Sequence, residues 1–150
     1  MNDEQKKSFN DAFHYFYKGN SGAIALSFML LEVAHLWDDL IDGDKVDEDD
    51  INRIFRYLIY DIPMNPVYNL IPGIHVHLLS IFLRWRDATE MEKEENPDLE
   101  KTYMLRAGIY DLFSLIAFHL HGDKWAKEIG PSVRKLYGET LTSLKEELNA

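Results

Sequence analysis

Apolar residues recur at helical spacing along most of this chain, and no segment alternates between apolar and polar positions as a strand does. The spacing predicts helices over about 3–17, 22–42, 49–60, 74–90, 97–121, 123–129 and 132–148. We therefore expect an all-α fold, a bundle of about five to seven helices. A chain of 150 residues fits a single helical domain, 1–150, and its most apolar segments, 22–42 and 97–121, are the expected central helices.

Capping and helix-breaking residues separate these segments. Asn20 or Ser21 is the candidate N-cap for the second helix, and Gly43 is placed to end it. Gly122 is placed to end the helix over 97–121, and Gly130-Pro131 predicts a break before the last helix.

The helix over 49–60 has a clear apolar side. Its members are spaced three or four residues apart, and we expect them to be buried: Ile51, Ile54, Phe55, Leu58 and Ile59. The acidic loop before it, 42–50, does not fit a calcium-binding EF-hand. Aligning Gly43 with the obligatory glycine places Leu40, which cannot coordinate, at a ligand position.

The central helix over 22–42 carries an acidic stripe on its C-terminal half. At about 100° per residue, the stripe is roughly 80° wide, with Asp38 at its edge and these residues within it: Glu32, His35, Asp39 and Asp42. The N-terminal half of the same helix is apolar on all sides, which is typical of a buried helix. The stripe therefore continues from a side that we expect to face the core.

No lysine or arginine lies in this stripe, so its carboxylates repel one another. A divalent cation would relieve that repulsion, and oxygen ligands with one imidazole suit Mg²⁺, Mn²⁺ or iron. We predict a divalent-cation site, with Mg²⁺ or Mn²⁺ favoured, whose ligands are Glu32, His35, Asp38, Asp39 and Asp42. The alternative is a solvated acidic face on an ordinary amphipathic helix.

A second acidic position, Asp111, lies in the apolar run of the helix over 97–121. A carboxylate buried in such a run needs a partner. Two partners are open: a cation shared with the first stripe, which would make Asp111 a metal ligand, or an arginine or tyrosine side chain.

The helix over 74–90 offers further polar groups. His77 and Arg84 share one side, which is either a helix exterior or part of a site. In the functional interpretation His77 is a ligand or base, and Arg84 binds phosphate through its planar guanidinium. Arg106 is a second candidate phosphate ligand.

The sequence Asp38-Asp39-Leu40-Ile41-Asp42 resembles the Asp-Asp-x-x-Asp motif of trans-prenyltransferases and class I terpene synthases. That resemblance implies an all-α enzyme that binds Mg²⁺ and a prenyl diphosphate near a helix C-terminus. It covers five residues. The glutamate of the second metal motif of those enzymes, expected four residues after Ser114, is Phe118 here.

Two other all-α groups are similar in part. The nucleoside-triphosphate pyrophosphatases carry Glu-x-x-Glu where this chain has Glu32-x-x-His35. The di-iron bundles carry two Glu-x-x-His motifs; this chain has one, Glu32-x-x-His35, and no second. Both resemblances imply carboxylates on facing helices around a metal.

Charge and composition limit the partners. The formal net charge of −10 disfavours a nucleic-acid backbone or an anionic membrane, which attract clustered lysine and arginine. The chain has no cysteine, which excludes disulfides and thiolate metal sites and is typical of the cytoplasm. The polar N-terminus does not resemble a secretory leader, and the longest apolar run is too short for a membrane span.

Two functional hypotheses follow. The first is a metal-binding protein, in catalytic form a Mg²⁺- or Mn²⁺-dependent hydrolase or transferase acting on a small molecule that contains a diphosphate. In it His35 or Glu32 is the base, and Arg84 and Arg106, with His77 nearby, bind substrate. The second is a non-enzymatic helical interaction protein, including a homo-oligomer such as a homodimer, with a solvated acidic face. The pattern leaves open whether the protein is an enzyme.

Overall fold

The computed structural model describes residues 1–149, and every regular element in this part of the chain is helical. A π-helical turn (Tyr57–Asp61) continues the third helix, and a 3-10 turn (Ala107–Ile109) joins the sixth to the seventh. The predicted all-α class is confirmed, and the number of helices is close to the prediction. The α-helices are α1 (Asp3–Phe16), α2 (Ser21–Asp42), α3 (Glu48–Arg56), α4 (Pro66–Leu70), α5 (Ile74–Glu92), α6 (Leu99–Arg106), α7 (Tyr110–His121), α8 (Asp123–Lys135) and α9 (Leu141–Asn149).

The chain divides into two compact units, and each has its own core. The first, Met1–Pro72, contains α1 to α4, and the second begins at Gly73. The two helices that we expected to be central, 22–42 and 97–121, therefore belong to different units. The expected single domain stays a prediction.

The core of the first unit forms where α1 turns into α2. Tyr17 is completely buried, and its hydroxyl lies 2.8 Å from the hydroxyl of Ser27, which is also completely buried. Burial raises the pKa of Tyr17 well above its ordinary value because the phenolate would lose its hydration; the bond with Ser27 acts in the opposite direction. Phe13 packs edge-on against Phe28, with 5.1 Å between ring centroids.

Local signals set the ends of α2. The Asn20 side chain accepts a hydrogen bond from the backbone N–H of Ala23 at the helix start. At the other end Gly43 adopts a φ of 77°, a left-handed conformation that glycine adopts without steric cost. The predicted bounds of this helix therefore agree with the structure.

The predicted continuous helix over 97–121 is wrong, because a 3-10 turn at Ala107–Ile109 separates α6 from α7. Gly108 is buried in this turn, and a Cβ atom there would lie 3.3 Å from Nη1 of Arg84. The Arg84 guanidinium thus packs directly on the backbone at the interruption, a contact with α5 that the local sequence does not reveal.

The predicted break at Gly130-Pro131 is also wrong. Helix α8 continues through Pro131 to Lys135, and the last helix, α9, begins only at Leu141. Ile129 and Val133 are both almost fully buried on either side of the proline. Their packing holds the helix together although Pro131 removes one backbone donor.

No helix among the described residues is both long enough and apolar enough to cross a membrane.

Replacing Tyr17 by phenylalanine tests the buried hydroxyl pair. We expect Tyr17→Phe to lower the free energy of unfolding by about 1–2 kcal/mol, because it removes the partner of the buried Ser27 hydroxyl. Urea unfolding followed by circular dichroism measures the change. The matched control is Tyr15→Phe, since Tyr15 is 54% exposed, and that variant should unfold like the wild type. Equal effects of the two substitutions would contradict the role of the pair.

Candidate functional site

A polar cleft of about 230 Å³ lies in the first unit, between α1, α2, the loop after α2, and α3. Three carboxylates and three cationic side chains line it, so it has no large net charge although the chain is strongly acidic. The acids are Glu32, Asp39 and Asp50, and the bases are Lys6, Lys45 and Arg53. His35 lies among them.

The cleft brings together only part of the predicted metal stripe. Glu32, His35 and Asp39 line it, whereas Asp38 and Asp42 do not. Asp42 is exposed, as the solvated alternative expects of the whole stripe. Among residues 1–149 no three histidine or acidic side chains are arranged closely enough to hold a metal ion. The stripe therefore contributes three side chains to a shared cleft without forming a ligand set.

Arg53 is the residue of this cleft that sequence reasoning missed. Its Nη1 donates a hydrogen bond of 2.9 Å to Oδ1 of Asp50, and its Nη2 lies 3.8 Å from Oε1 of Glu32. Tyr57 also contributes a side-chain hydrogen bond to Glu32. A guanidinium from α3 thus compensates a carboxylate of α2, the effect for which the sequence predicted a metal ion. Its spacing of three residues from Asp50 was visible in the sequence, but its approach to Glu32 was not.

His35 is open to solvent at the mouth of this cleft, but its ring is partly desolvated. Partial burial lowers the pKa of His35 below its ordinary value, and the positive charge of the Met1 amine acts in the same direction. Asp39 and Glu32 raise it, but by less. The imidazole is therefore neutral at pH 7, the form that can accept a proton or a hydrogen bond.

In the second unit Asp111 has arginine partners. Nη1 of Arg84, on α5, donates a hydrogen bond of 2.8 Å to Oδ2 of Asp111, and Arg134, on α8, bonds the other carboxylate oxygen. Of the two partners that the sequence left open, the structure contains the arginine. The Asp111 side chain is 46% exposed rather than enclosed, and with its two partners it links α5, α7 and α8.

Arg106 is also engaged within the second unit. Its Nε and Nη2 donate hydrogen bonds of 2.8 and 2.5 Å to the two oxygens of Glu92, and its guanidinium lies 4.6 Å from the ring centroid of Trp85. The side chains of Arg106 and Glu92 are only 14% and 10% exposed. Both predicted phosphate ligands, Arg84 and Arg106, are therefore already paired with a carboxylate, Arg84 through Nη1 and Arg106 through Nε and Nη2. His77 is exposed on α5.

The predicted burial of the apolar side of α3 and its π-helical extension is wrong for all but one residue. Only Ile54 is buried, at 4% exposure. The other four side chains are 44–62% exposed, and we call them the α3 face: Ile51, Phe55, Leu58 and Ile59. Tyr60 and Met64, which follow in the chain, are also exposed, at 59% and 65%.

The low frequency of charged residues around α3 distinguishes this segment from the rest of the chain. Residues 51–70 contain only three charged side chains, Arg53, Arg56 and Asp61, although the chain as a whole is 28% charged. A second exposed apolar row lies on α5 in the second unit, where Val76, Leu79 and Phe82 are 41–58% exposed.

The pKa of His35 can be measured by NMR titration of its ring protons. We expect a pKa below about 6.5, and a further decrease in Asp39→Asn, because Asp39 raises the pKa. The folded state favours the neutral ring, so wild type should lose stability relative to His35→Gln as the pH falls below about 6.5. A pKa at or above that value in wild type, or an increase in Asp39→Asn, would contradict the partial desolvation of the ring.

Comparisons with known proteins give no relative from which a function could be inferred. No protein-family model, no curated protein and no solved structure matches this chain. The cleft and the exposed apolar surface therefore have to be interpreted from their own residues.

Proposed function

We propose that this protein is a non-enzymatic helical interaction protein that binds another protein through the α3 face. The observation that supports this proposal is the exposure of Ile51, Phe55, Leu58 and Ile59, four large apolar side chains on one side of one helical segment. They fall at i, i+4, i+7 and i+8, the spacing of a contact surface on a helix.

The area of this surface is the first supporting argument. At 44–62% exposure, four side chains of about 150–250 Å² each present on the order of 400 Å² of apolar surface, within the roughly 300–600 Å² of the largest patch on a typical monomer. A standard protein interface uses roughly 800 Å² on each partner, so the patch suits the centre of such an interface.

The composition of the surface is the second argument. The centres of protein interfaces are depleted in acidic residues and lysine and enriched in aromatic residues, methionine and arginine. The α3 face contains no lysine and no acid and includes the aromatic Phe55, and the exposed Arg56 follows it in the chain. Scattered apolar residues on a surface need no explanation, but a contiguous group does.

A second candidate function is the metal-dependent reaction on a diphosphate-containing small molecule. It is favoured by one observation: Glu32, His35 and Asp39 line the same cleft, where partial burial lowers the pKa of His35 and so favours its neutral imidazole. In this proposal Mg²⁺ or Mn²⁺ binds at the open side of the cleft, and His35 or Glu32 accepts the proton of the attacking water. Arg53 already compensates Glu32, which lowers the need for a cation there.

Photo-crosslinking tests the interaction proposal directly. With a benzophenone amino acid at Phe55, we expect crosslinks to a protein in the cells that produce this chain, because Phe55 is 61% exposed in the apolar surface. The same amino acid at Tyr15, which is 54% exposed on α1, is the matched control and should give none. Mass spectrometry identifies the crosslinked chain. Equal crosslinking at the two positions, or none at Phe55, would refute the proposal.

Metal titration tests the second candidate. If Mg²⁺ or Mn²⁺ binds the stripe, millimolar metal should raise the melting temperature of the wild type, and Asp39→Asn with Asp42→Asn should abolish the rise. If the stripe is solvated, the double variant should be neutral or slightly stabilising without metal, because like-charge repulsion falls. Titration calorimetry measures metal binding independently. If neither Mg²⁺ nor Mn²⁺ gives a heat of binding, the metal-dependent function is refuted.

A further inference from the structure

We infer that the partner of the α3 face is a second copy of this chain, with the two α3 helices packed antiparallel about a two-fold axis. The inference rests on the proposed function, since it names the partner of the same surface. Three features of α3 support it: the order of its charges, the spacing of its apolar residues and the area that they expose.

The charges of α3 are ordered along the helix. It begins with Glu48, Asp49 and Asp50 and carries Arg53 and Arg56 in its last turns. Glu48 and Arg56 stand eight residues apart, at i and i+8, on one edge of the α3 face. An antiparallel copy brings Glu48 of each chain within reach of Arg56 of the other, whereas a parallel copy places like charges together. Antiparallel packing also opposes the two helix dipoles.

Arg56 remains available for such a contact. Its side chain is 63% exposed, and its bond to Asp61, 2.8 Å long, uses only Nε. The outer nitrogens of the guanidinium can therefore bond a second carboxylate, as the planar fork of arginine allows.

The apolar residues fit the same arrangement. In an antiparallel pair centred on the middle of α3, Ile51 and Phe55 of one copy interleave with Phe55 and Ile51 of the other. Under a two-fold axis the same surface of each copy forms the contact, so that surface is fully used in the dimer and binds no third copy. A face that buries on the order of 400 Å² per copy gives a total of about 800 Å², which is in the range of weak, transient interfaces. We therefore expect a dimer that dissociates on dilution.

Sedimentation velocity on the full chain, from about 1 to 100 μM, tests the inference. We expect a concentration-dependent dimer, which Phe55→Glu converts to a monomer. Glu48→Arg alone and Arg56→Glu alone should each weaken the dimer by about tenfold, because each reversal creates two like-charge contacts. The combined variant should recover the wild-type dimer. The matched control is Glu4→Arg, an exposed acid in the first turn of α1, which should dimerise normally.

Single cysteines give an independent test of orientation, since the natural chain has none. Asn52, between Glu48 and Arg56 on the same edge, lies near the proposed axis. A short bis-maleimide should therefore link two copies of Asn52→Cys, but neither Glu48→Cys, whose positions are at opposite ends of the pair, nor Ser8→Cys on α1.

The outcomes separate this inference from the proposed function. A wild-type monomer at every concentration, with Phe55 crosslinking to a different protein, overturns the second copy but leaves the interaction proposal standing. No crosslink at Phe55 removes both. A dimer that persists in Phe55→Glu, or a charge-reversed pair that fails to recover, overturns the antiparallel α3 contact. Circular dichroism of each variant establishes that the helices are intact.

Discussion

Arginine side chains that bind the carboxylates of neighbouring helices are the interaction on which both units depend. Arg53 joins α3 to Glu32 of α2, and Arg106 joins α6 to Glu92 at the end of α5. Asp111 is held by arginines from two different helices. In a chain with a net charge of −10, these arginines balance acids where helices meet, and the Arg106–Glu92 pair is the most enclosed, with side chains 14% and 10% exposed. The arginines therefore link neighbouring helices at the polar edges of their contacts.

Structural features that depend on residues close together in the sequence could be predicted. The all-α class, the cap at Asn20 and the end of α2 at Gly43 all follow from local spacing and conformational preference. The interruption at Gly108 could not, because the residue that packs against this glycine, Arg84, comes from α5. The continuation of α8 through Pro131 was missed for a similar reason, since buried side chains on both sides outweigh one lost backbone bond.

Only part of the cleft lining could be predicted from the sequence, namely the three side chains that come from α2. Helical periodicity correctly predicted that Glu32, His35 and Asp39 lie on one side of α2, and the sequence of that helix contains no lysine or arginine. Periodicity could not predict that Arg53 of α3 lies against Glu32. The same limit applies to α3, because amphipathic spacing identifies an apolar side without showing what that side contacts. Burial of Ile54 alone among the five expected residues illustrates the difference.

The π-helical turn at Tyr57–Asp61 makes the exposed surface sensitive to chain length. The N–H of Ile62 bonds the carbonyl of Tyr57 at 2.9 Å, an i to i+5 bond that accommodates one more residue than an α-helical turn. Deleting a single residue here would convert the π-helical turn into an α-helical one, so the residues beyond it would keep nearly the same direction relative to Phe55. Inserting a residue would rotate them by about 100°. The exposed surface therefore tolerates the loss of one residue in this turn better than the gain of one.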